Sequence, residues 1–186
     1  MMEALWSAVA FLSGSLPLAW WIGRWGMKVD IRRYGDGNPG AMNVRRAGGR
    51  GWFVLALLLE FFKGAIPIWL ARHIGGLSDW QLIPLAIAAP VGHAFSPWLG
   101  FRGGKALAVT FGVWSGLTLW QIPMLLGGLF ALFLRLAPPE ARAVRLGMLS
   151  LDGLLAFGVA AGWAPAAWLV VALGHTVLLF WTHRRG

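Results

Sequence analysis

The sequence predicts an all-α integral membrane protein with seven transmembrane helices, its N-terminus outside and its C-terminus cytoplasmic. Three observations predict it. The 186 residues are 58% hydrophobic and 12% charged, with a mean hydropathy of +0.67, whereas soluble domains carry about 25% charged residues. The apolar residues fall into seven segments separated by polar connections, and spanning segments are built from such runs. The basic residues gather in alternate connections, as cytoplasmic loops require. No internal repeat or second domain is evident, so residues 1–186 read as a single polytopic domain.

The first helix is expected over about 4–26 and contains Ser13-Gly14-Ser15-Leu16-Pro17, small residues that permit close packing and a proline that kinks it. Only Glu3 is charged before Arg24, so this segment lacks the basic flank of a cleaved leader and reads as a retained helix. A basic, glycine-rich loop fills 28–51. The second helix follows at about 52–71, apolar except for Glu60 and Lys63, and the third at about 80–95 with Pro84, Pro90 and His93. A second glycine-rich stretch covers 96–105. Helices are then expected at 106–119, 121–136, 146–162 and 165–182, with a polar linker between the second and third of these four.

With the N-terminus outside, the inside segments are 24–51, 96–105, 135–146 and the C-terminus, and they hold fourteen of the sixteen Lys and Arg. Arg72 alone falls in an outside loop and Lys63 lies within a helix. Both glycine-rich stretches therefore face the cytoplasm. The net charge of +9 follows from this distribution and suits loops that face anionic lipid or an anionic substrate, with no need for nucleic acid. The thirteen Trp suit the membrane interface. The absence of Cys removes disulfides, thiolate nucleophiles and thiolate metal sites. The four His are scattered and form no metal cluster, and no cofactor is called for.

The first stretch runs Arg32-Arg33-Tyr34-Gly35-Asp36-Gly37-Asn38-Pro39-Gly40-Ala41-Met42-Asn43-Val44-Arg45-Arg46. Its GxGxxG at Gly35, Gly37 and Gly40 lacks the preceding strand of a dinucleotide fold. What survives is anion chemistry: glycines let the backbone approach, asparagines hydrogen-bond and arginines neutralise. The second stretch, Gly100-Phe101-Arg102-Gly103-Gly104-Lys105, repeats the theme, and Leu99 rules out a Walker A loop. His93 stands beside it as a general base or a hydrogen-bond donor to phosphate, or as a structural cap. Glu60 and Lys63, three residues apart in an apolar helix, pair with each other or serve the site. Asp152 is expected to meet a structural partner such as an arginine. HExxH, EF-hand, GxSxG and HxxxxD patterns are absent.

These two stretches, in this order and in a chain of this size, resemble the bacterial acyl-phosphate:glycerol-3-phosphate acyltransferase family of the PlsY type. The first family motif, roughly GSGNxGATNxxR, stands as Gly35 to Arg46; an upstream GSxP as Gly14-Ser15-Leu16-Pro17; DxxKG as Glu60-Phe61-Phe62-Lys63-Gly64; and GHxFPxFLxFKGGKGxAT as the run from Gly92 to Ala108. The resemblance covers about 13–112. It implies seven spans, an active site on the cytoplasmic face of the bacterial plasma membrane, and transfer of a fatty acyl group from acyl phosphate to the 1-hydroxyl of glycerol 3-phosphate. The products are lysophosphatidic acid and phosphate, with no metal or other cofactor.

By the same resemblance Asp36, Asn43, His93 and Lys105 are catalytic, while Gly37, Asn38, Gly40, Arg46, Arg102, Gly103, Gly104 and His183 hold substrate phosphates. Glu60 and Lys63 support them. No protein nucleophile is needed, and a substrate phosphate oxygen helps deprotonate the acceptor. The chain departs from the motifs at Asp36 and Met42, where the family has Ser and Thr, and at Ser96 and Ala106, where it has Pro and Gly. Of the third motif, HRxNxxRLxxGxE, only His183 and Arg184 are matched. Two other classes stay open at this level: a weakly active paralogue that binds an anionic lipid or phosphorylated precursor, and a small anion transporter.

Overall fold

A computed structural model describes residues 2–184. The described residues are helical without strands: α1 Met2–Ser15, α2 Leu18–Trp21, α3 Ala41–Gly48, α4 Arg50–His73, α5 Asp79–Ala94, α6 Leu107–Thr118, α7 Gln121–Leu136, α8 Glu140–Ala160 and α9 Ala166–Thr182. Among the described residues four segments are long and apolar enough to cross a membrane: 2–26, 50–73, 79–99 and 140–160. Helices α6, α7 and α9 are apolar but shorter. Along α4, Leu55, Leu58, Leu59, Phe62, Ile66 and Trp69 are exposed, the helical spacing of a face solvated by lipid rather than water.

Three boundaries differ from the sequence reading. The first helix is not merely kinked but interrupted: α1 stops at Ser15, and the chain resumes at α2 and continues through a π-turn over Ile22–Gly26. Pro17 has no N–H to continue the ladder. The first glycine-rich stretch is a loop only in its first half, because Gly40 opens and Gly49, at φ +83°, closes the short helix α3. Helix α8 begins at Glu140 rather than 146, so Arg142 and Arg145 stand on a helix. Glu140 in the first turn favours that start through the helix dipole.

Helices α1 and α5 pack at backbone distance, since a methyl on Gly14 would strike the Ala89 carbonyl and one on Gly92 the Phe11 carbonyl. Helices α4 and α6 meet the same way at Gly64 and Gly112. Helix α9 packs on α5 and α8. The main core includes Ile68, Leu85, Trp114, Leu126, Met148 and Leu179. A smaller cluster of Ala19, Ile31, Val44 and Ala56 seats the first glycine-rich stretch on α2 and α4.

Prolines inside spanning helices orphan the carbonyl four residues earlier, and at Pro67 and Pro90 side chains on other helices take those carbonyls. Pro67 frees the Lys63 carbonyl, which accepts from Ser13 Oγ at 2.8 Å. Pro90 frees the Ala86 carbonyl, which lies 3.0 Å from His175 Nε2. Among the described residues Asp152 takes no arginine. Its carboxyl accepts from Thr176 Oγ1 on α9 at 2.7 Å.

Candidate active site

The interruption of the first helix creates the base of the site. Lys63 Nζ donates to the Leu16 carbonyl at 2.6 Å, and the Ala19 amide donates to Glu60 Oε1 at 3.0 Å. Glu60 Oε2 then lies 2.6 Å from Lys63 Nζ and 3.0 Å from His93 Nδ1. Glu60, Lys63 and His93 are all buried. The two alternatives for the Glu60–Lys63 pair are thus realised together: the residues pair, they satisfy the broken backbone, and they hold His93. The break is closed by protein groups.

Above this base the two glycine-rich stretches meet. Asp36 Oδ2 lies 2.9 Å from Lys105 Nζ, and Asp36 Oδ1 lies 3.7 Å from an Arg46 nitrogen. Asp36 Oδ1 also accepts from the Asn38 amide at 3.2 Å and from Asn43 Nδ2 at 3.0 Å. Asn43 donates to the Asn38 carbonyl at 2.8 Å and accepts from Arg46 at 2.7 Å. Burial works to raise the Asp36 carboxyl, but Lys105, the Asn38 amide and Asn43 outweigh it and hold it below the usual carboxylate range.

Gly103 and Gly104 do not form an amide nest. Their N–H groups donate to the Ala94 and His93 carbonyls at 3.0 and 3.1 Å. Their value is close approach: a methyl on Gly103 would strike the His93 carbonyl, and one on Gly104 would strike His93 Nε2. The Gly37 amide is likewise taken, by the Tyr34 carbonyl at 3.1 Å. Among the described residues the amides of Ala41 and Met42, in the uncapped first turn of α3 that Gly40 opens, have no hydrogen-bond partner. Behind Lys105, Thr182 Oγ1 donates to its carbonyl at 3.1 Å, tying the end of α9 to the second stretch.

Two grooves share this centre. One, of about 520 Å³, runs between α3, α4 and α6 and is walled by apolar side chains including Phe53, Leu57, Phe61 and Phe111, with Glu60 and His93 at its inner end. The other, of about 970 Å³, lies between the two glycine-rich stretches and the end of α9, with Arg33, Arg102 and Arg184 on its walls. Asn38 and Lys105 line both. Met42 lines the apolar groove, and Gly37, Gly103 and Gly104 the polar one. Arg46 stands behind Asn43, on neither wall.

His183 lines neither groove, although Thr182 and Arg184 on either side of it line the polar one. It is fully buried, with Nδ1 2.9 Å from the Leu179 carbonyl and Nε2 3.9 Å from Glu140. Burial pushes its imidazole below the usual histidine range, against the pull of the Leu179 carbonyl. The sequence reading did not anticipate the apolar groove, the free α3 amides or Thr182. In a chain this apolar, hydrophobic residues lining a groove carry no distinguishing letter.

An all-helical membrane protein in which an apolar groove and a cationic groove share one lysine belongs to the class that handles amphiphilic anions. The particular family follows from comparison: the glycerol-3-phosphate acyltransferase family model matches residues 4–186, and the chain belongs to that family. It is an acyltransferase. It is 38% identical to the glycerol-3-phosphate acyltransferase of Desulfovibrio desulfuricans, over 99% of this chain and 79% of the relative. It is also 38% identical to that of Thermus thermophilus, over 99% and 89%. The fold superposes on the crystal structure of PlsY (YgiH), an integral membrane glycerol 3-phosphate acyltransferase, in its glycerol 3-phosphate form. The TM-score is 0.85 at 28% identity, covering 99% of this chain and 89% of the other. The lysophosphatidic acid form of PlsY matches with a TM-score of 0.83.

Proposed function

We propose that this protein transfers a fatty acyl group from acyl phosphate to glycerol 3-phosphate, making lysophosphatidic acid for phospholipid synthesis. The observation that carries this reading is the meeting of the two grooves at Asn38 and Lys105. An acyl phosphate is a chain joined to an anion, and it fits a site where an apolar groove ends at a lysine. Glycerol 3-phosphate is small and dianionic and suits the wider, arginine-lined groove. The acceptor oxygen attacks the acyl carbonyl carbon, the bond from that carbon to the phosphate oxygen breaks, and phosphate leaves. Lys105 neutralises the leaving phosphate, and the free amides of Ala41 and Met42 face the developing oxyanion. Holding both substrates at one junction supplies the remaining advantage of proximity.

Seven crossings complete the reading: the four long spans and the shorter α6, α7 and α9. The basic connections then lie on one side, and the site opens at the cytoplasmic face of a bacterial plasma membrane. The test uses purified protein with palmitoyl phosphate and glycerol 3-phosphate, following phosphate and lysophosphatidic acid. Turnover is expected, with Lys105→Ala losing more of it than Arg46→Ala, because only Lys105 lines the grooves. Tight binding of palmitoyl phosphate without product at high enzyme concentration would overturn the reading in favour of a binding paralogue.

A further inference from the structure

The lysine shared by the two grooves sits on a backbone that regular structure does not hold. Gly103 and Gly104 are tied to α5 carbonyls, and α6 begins only at Leu107. Between them Ala106 stands at φ +64° and ψ +8°, in the left-handed region, where an L side chain crowds its own backbone. That turn takes the Lys105 carbonyl out of the α6 ladder, whose first carbonyl is that of Ala106, accepting from the Thr110 amide at 3.0 Å. Thr182 Oγ1 on α9, at 3.1 Å, is the only hydrogen-bond partner of the Lys105 backbone among the described residues.

The Thr182 hydroxyl proton is free for that bond. The Leu179 carbonyl, 3.2 Å from Thr182 Oγ1, already accepts from the His183 amide at 3.0 Å and faces His183 Nδ1 at 2.9 Å. A carbonyl can only accept, so Nδ1 carries its hydrogen there and offers no lone pair to Thr182, 3.1 Å away. Thr182 is also held from both sides: the Trp181 ring lies 4.8 Å from that of Phe95, and His183 is fully buried. We infer that Thr182 is a positioning residue for Lys105. Its hydroxyl locks the Lys105–Ala106 peptide in the left-handed turn and so sets where Lys105 Nζ stands, 2.9 Å from Asp36 at the junction of the grooves. The role in turnover rests on the acyl-transfer reading above, and no bond or proton changes at Thr182.

The experiment compares wild type, Thr182→Val, Thr182→Ser, Ala106→Gly and Lys105→Ala, with Thr182→Val also placed in the last two backgrounds. It reads kcat and KM with palmitoyl phosphate and glycerol 3-phosphate, palmitoyl phosphate binding, and thermal unfolding. Misplacing a group by about 1 Å can cost about 10²-fold. Thr182→Val is therefore expected to lose about 10- to 10²-fold in kcat/KM and to weaken palmitoyl phosphate binding, while Thr182→Ser keeps most of both. Glycine takes the left-handed turn without help, so Ala106→Gly should raise the unfolding temperature and shrink the loss that Thr182→Val causes. In the Lys105→Ala background Thr182→Val should cost nothing further. Thr182 lines the polar groove, so an undiminished loss in that background would make it a direct substrate contact and overturn the assignment. Wild-type kcat/KM in a folded Thr182→Val would overturn it too. If Thr182→Val does not fold, Thr182→Ser decides: retained activity supports the assignment, and a loss as large as that of Lys105→Ala overturns it. Absence of product from wild type would sink the acyl-transfer reading, and palmitoyl phosphate binding by the same variants would still show whether Thr182 acts through Lys105.

Discussion

Asp36 and Lys105, from different glycine-rich stretches, form a 2.9 Å ion pair at the place where the two grooves meet. The carboxylate also collects the Asn38 amide and Asn43 Nδ2. It therefore sits as an internal anion among groups that would otherwise serve a phosphate. On the proposed function, an acidic residue is tolerated in this loop because it is neutralised in place, and an incoming phosphate would compete with it for Lys105.

Asp36→Ser tests that competition. The pair is partly exposed, and exposed pairs contribute about 0.2–1 kcal/mol, while a serine hydroxyl can still accept from the Asn38 amide. The expected result is a several-fold fall in KM for the phosphate substrates with a small change in unfolding temperature. A fall in kcat at unchanged KM would make Asp36 a base instead.

Acid should loosen the first stretch in a defined window. The Arg32 hydrogen bonds hold the Asp30 carboxyl at about 2, against an ordinary 3.8, with Arg32 nitrogens at 2.7 to 3.2 Å. A depressed carboxylate contributes stability that is complete above its unfolded value and is lost as pH falls through the folded one. Unfolding temperature should therefore drop between about pH 4 and about pH 2, Asp36 adding in the same direction. Asp30→Asn should flatten part of that slope in thermal unfolding followed across the range.

The adjacent glycines of the second stretch should fail differently. A methyl at Gly103 meets the backbone carbonyl of His93, which cannot turn aside, so Gly103→Ala should destabilise by about 1–3 kcal/mol. A methyl at Gly104 meets the His93 ring, which can swing but only by leaving Glu60. Gly104→Ala should keep most of the stability and lose activity by about 10²-fold, because it displaces a side chain at the junction of the grooves. Thermal unfolding and turnover measured on both variants separate the two.

The elements were legible because their punctuation is chemical. Apolar runs end at glycine, proline or charge, and α7 falls on the expected residues 121–136. The early start of α8 was hidden because Arg142 and Arg145 look like loop residues until a helix carries them. At the site, the motif letters singled out Asp36, Asn43, His93 and Lys105, which the fold brings together, but spacing could not say who holds whom. Gly103 and Gly104 read as anion donors, yet α5 carbonyls consume their amides. Ala106 shows why the family motif has glycine there: the residue sits at φ +64°, a conformation only the backbone reveals. Ser96, in place of a motif proline, donates to the Ser15 carbonyl at 2.6 Å and so ties the second stretch to the end of α1.

The proline-freed carbonyls give a prediction that involves no substrate. Ser13 Oγ donates to the Lys63 carbonyl only because Pro67 offers it no N–H. Removing the hydroxyl leaves a buried acceptor unpaired, at a cost of about 1–3 kcal/mol. In a Pro67→Ala background the residue 67 amide can take that carbonyl, so Ser13→Ala should cost measurably less there. The same cycle applies to His175 and Pro90 across α9 and α5, where His175→Phe should be milder once Pro90→Ala restores the donor to the Ala86 carbonyl. Unfolding free energies for each set of four proteins give the coupling directly. A coupling near zero in both cycles would mean that these side chains pack rather than repair the backbone. A positive coupling would make Ser13, from the first helix, a partner that the proline in α4 requires.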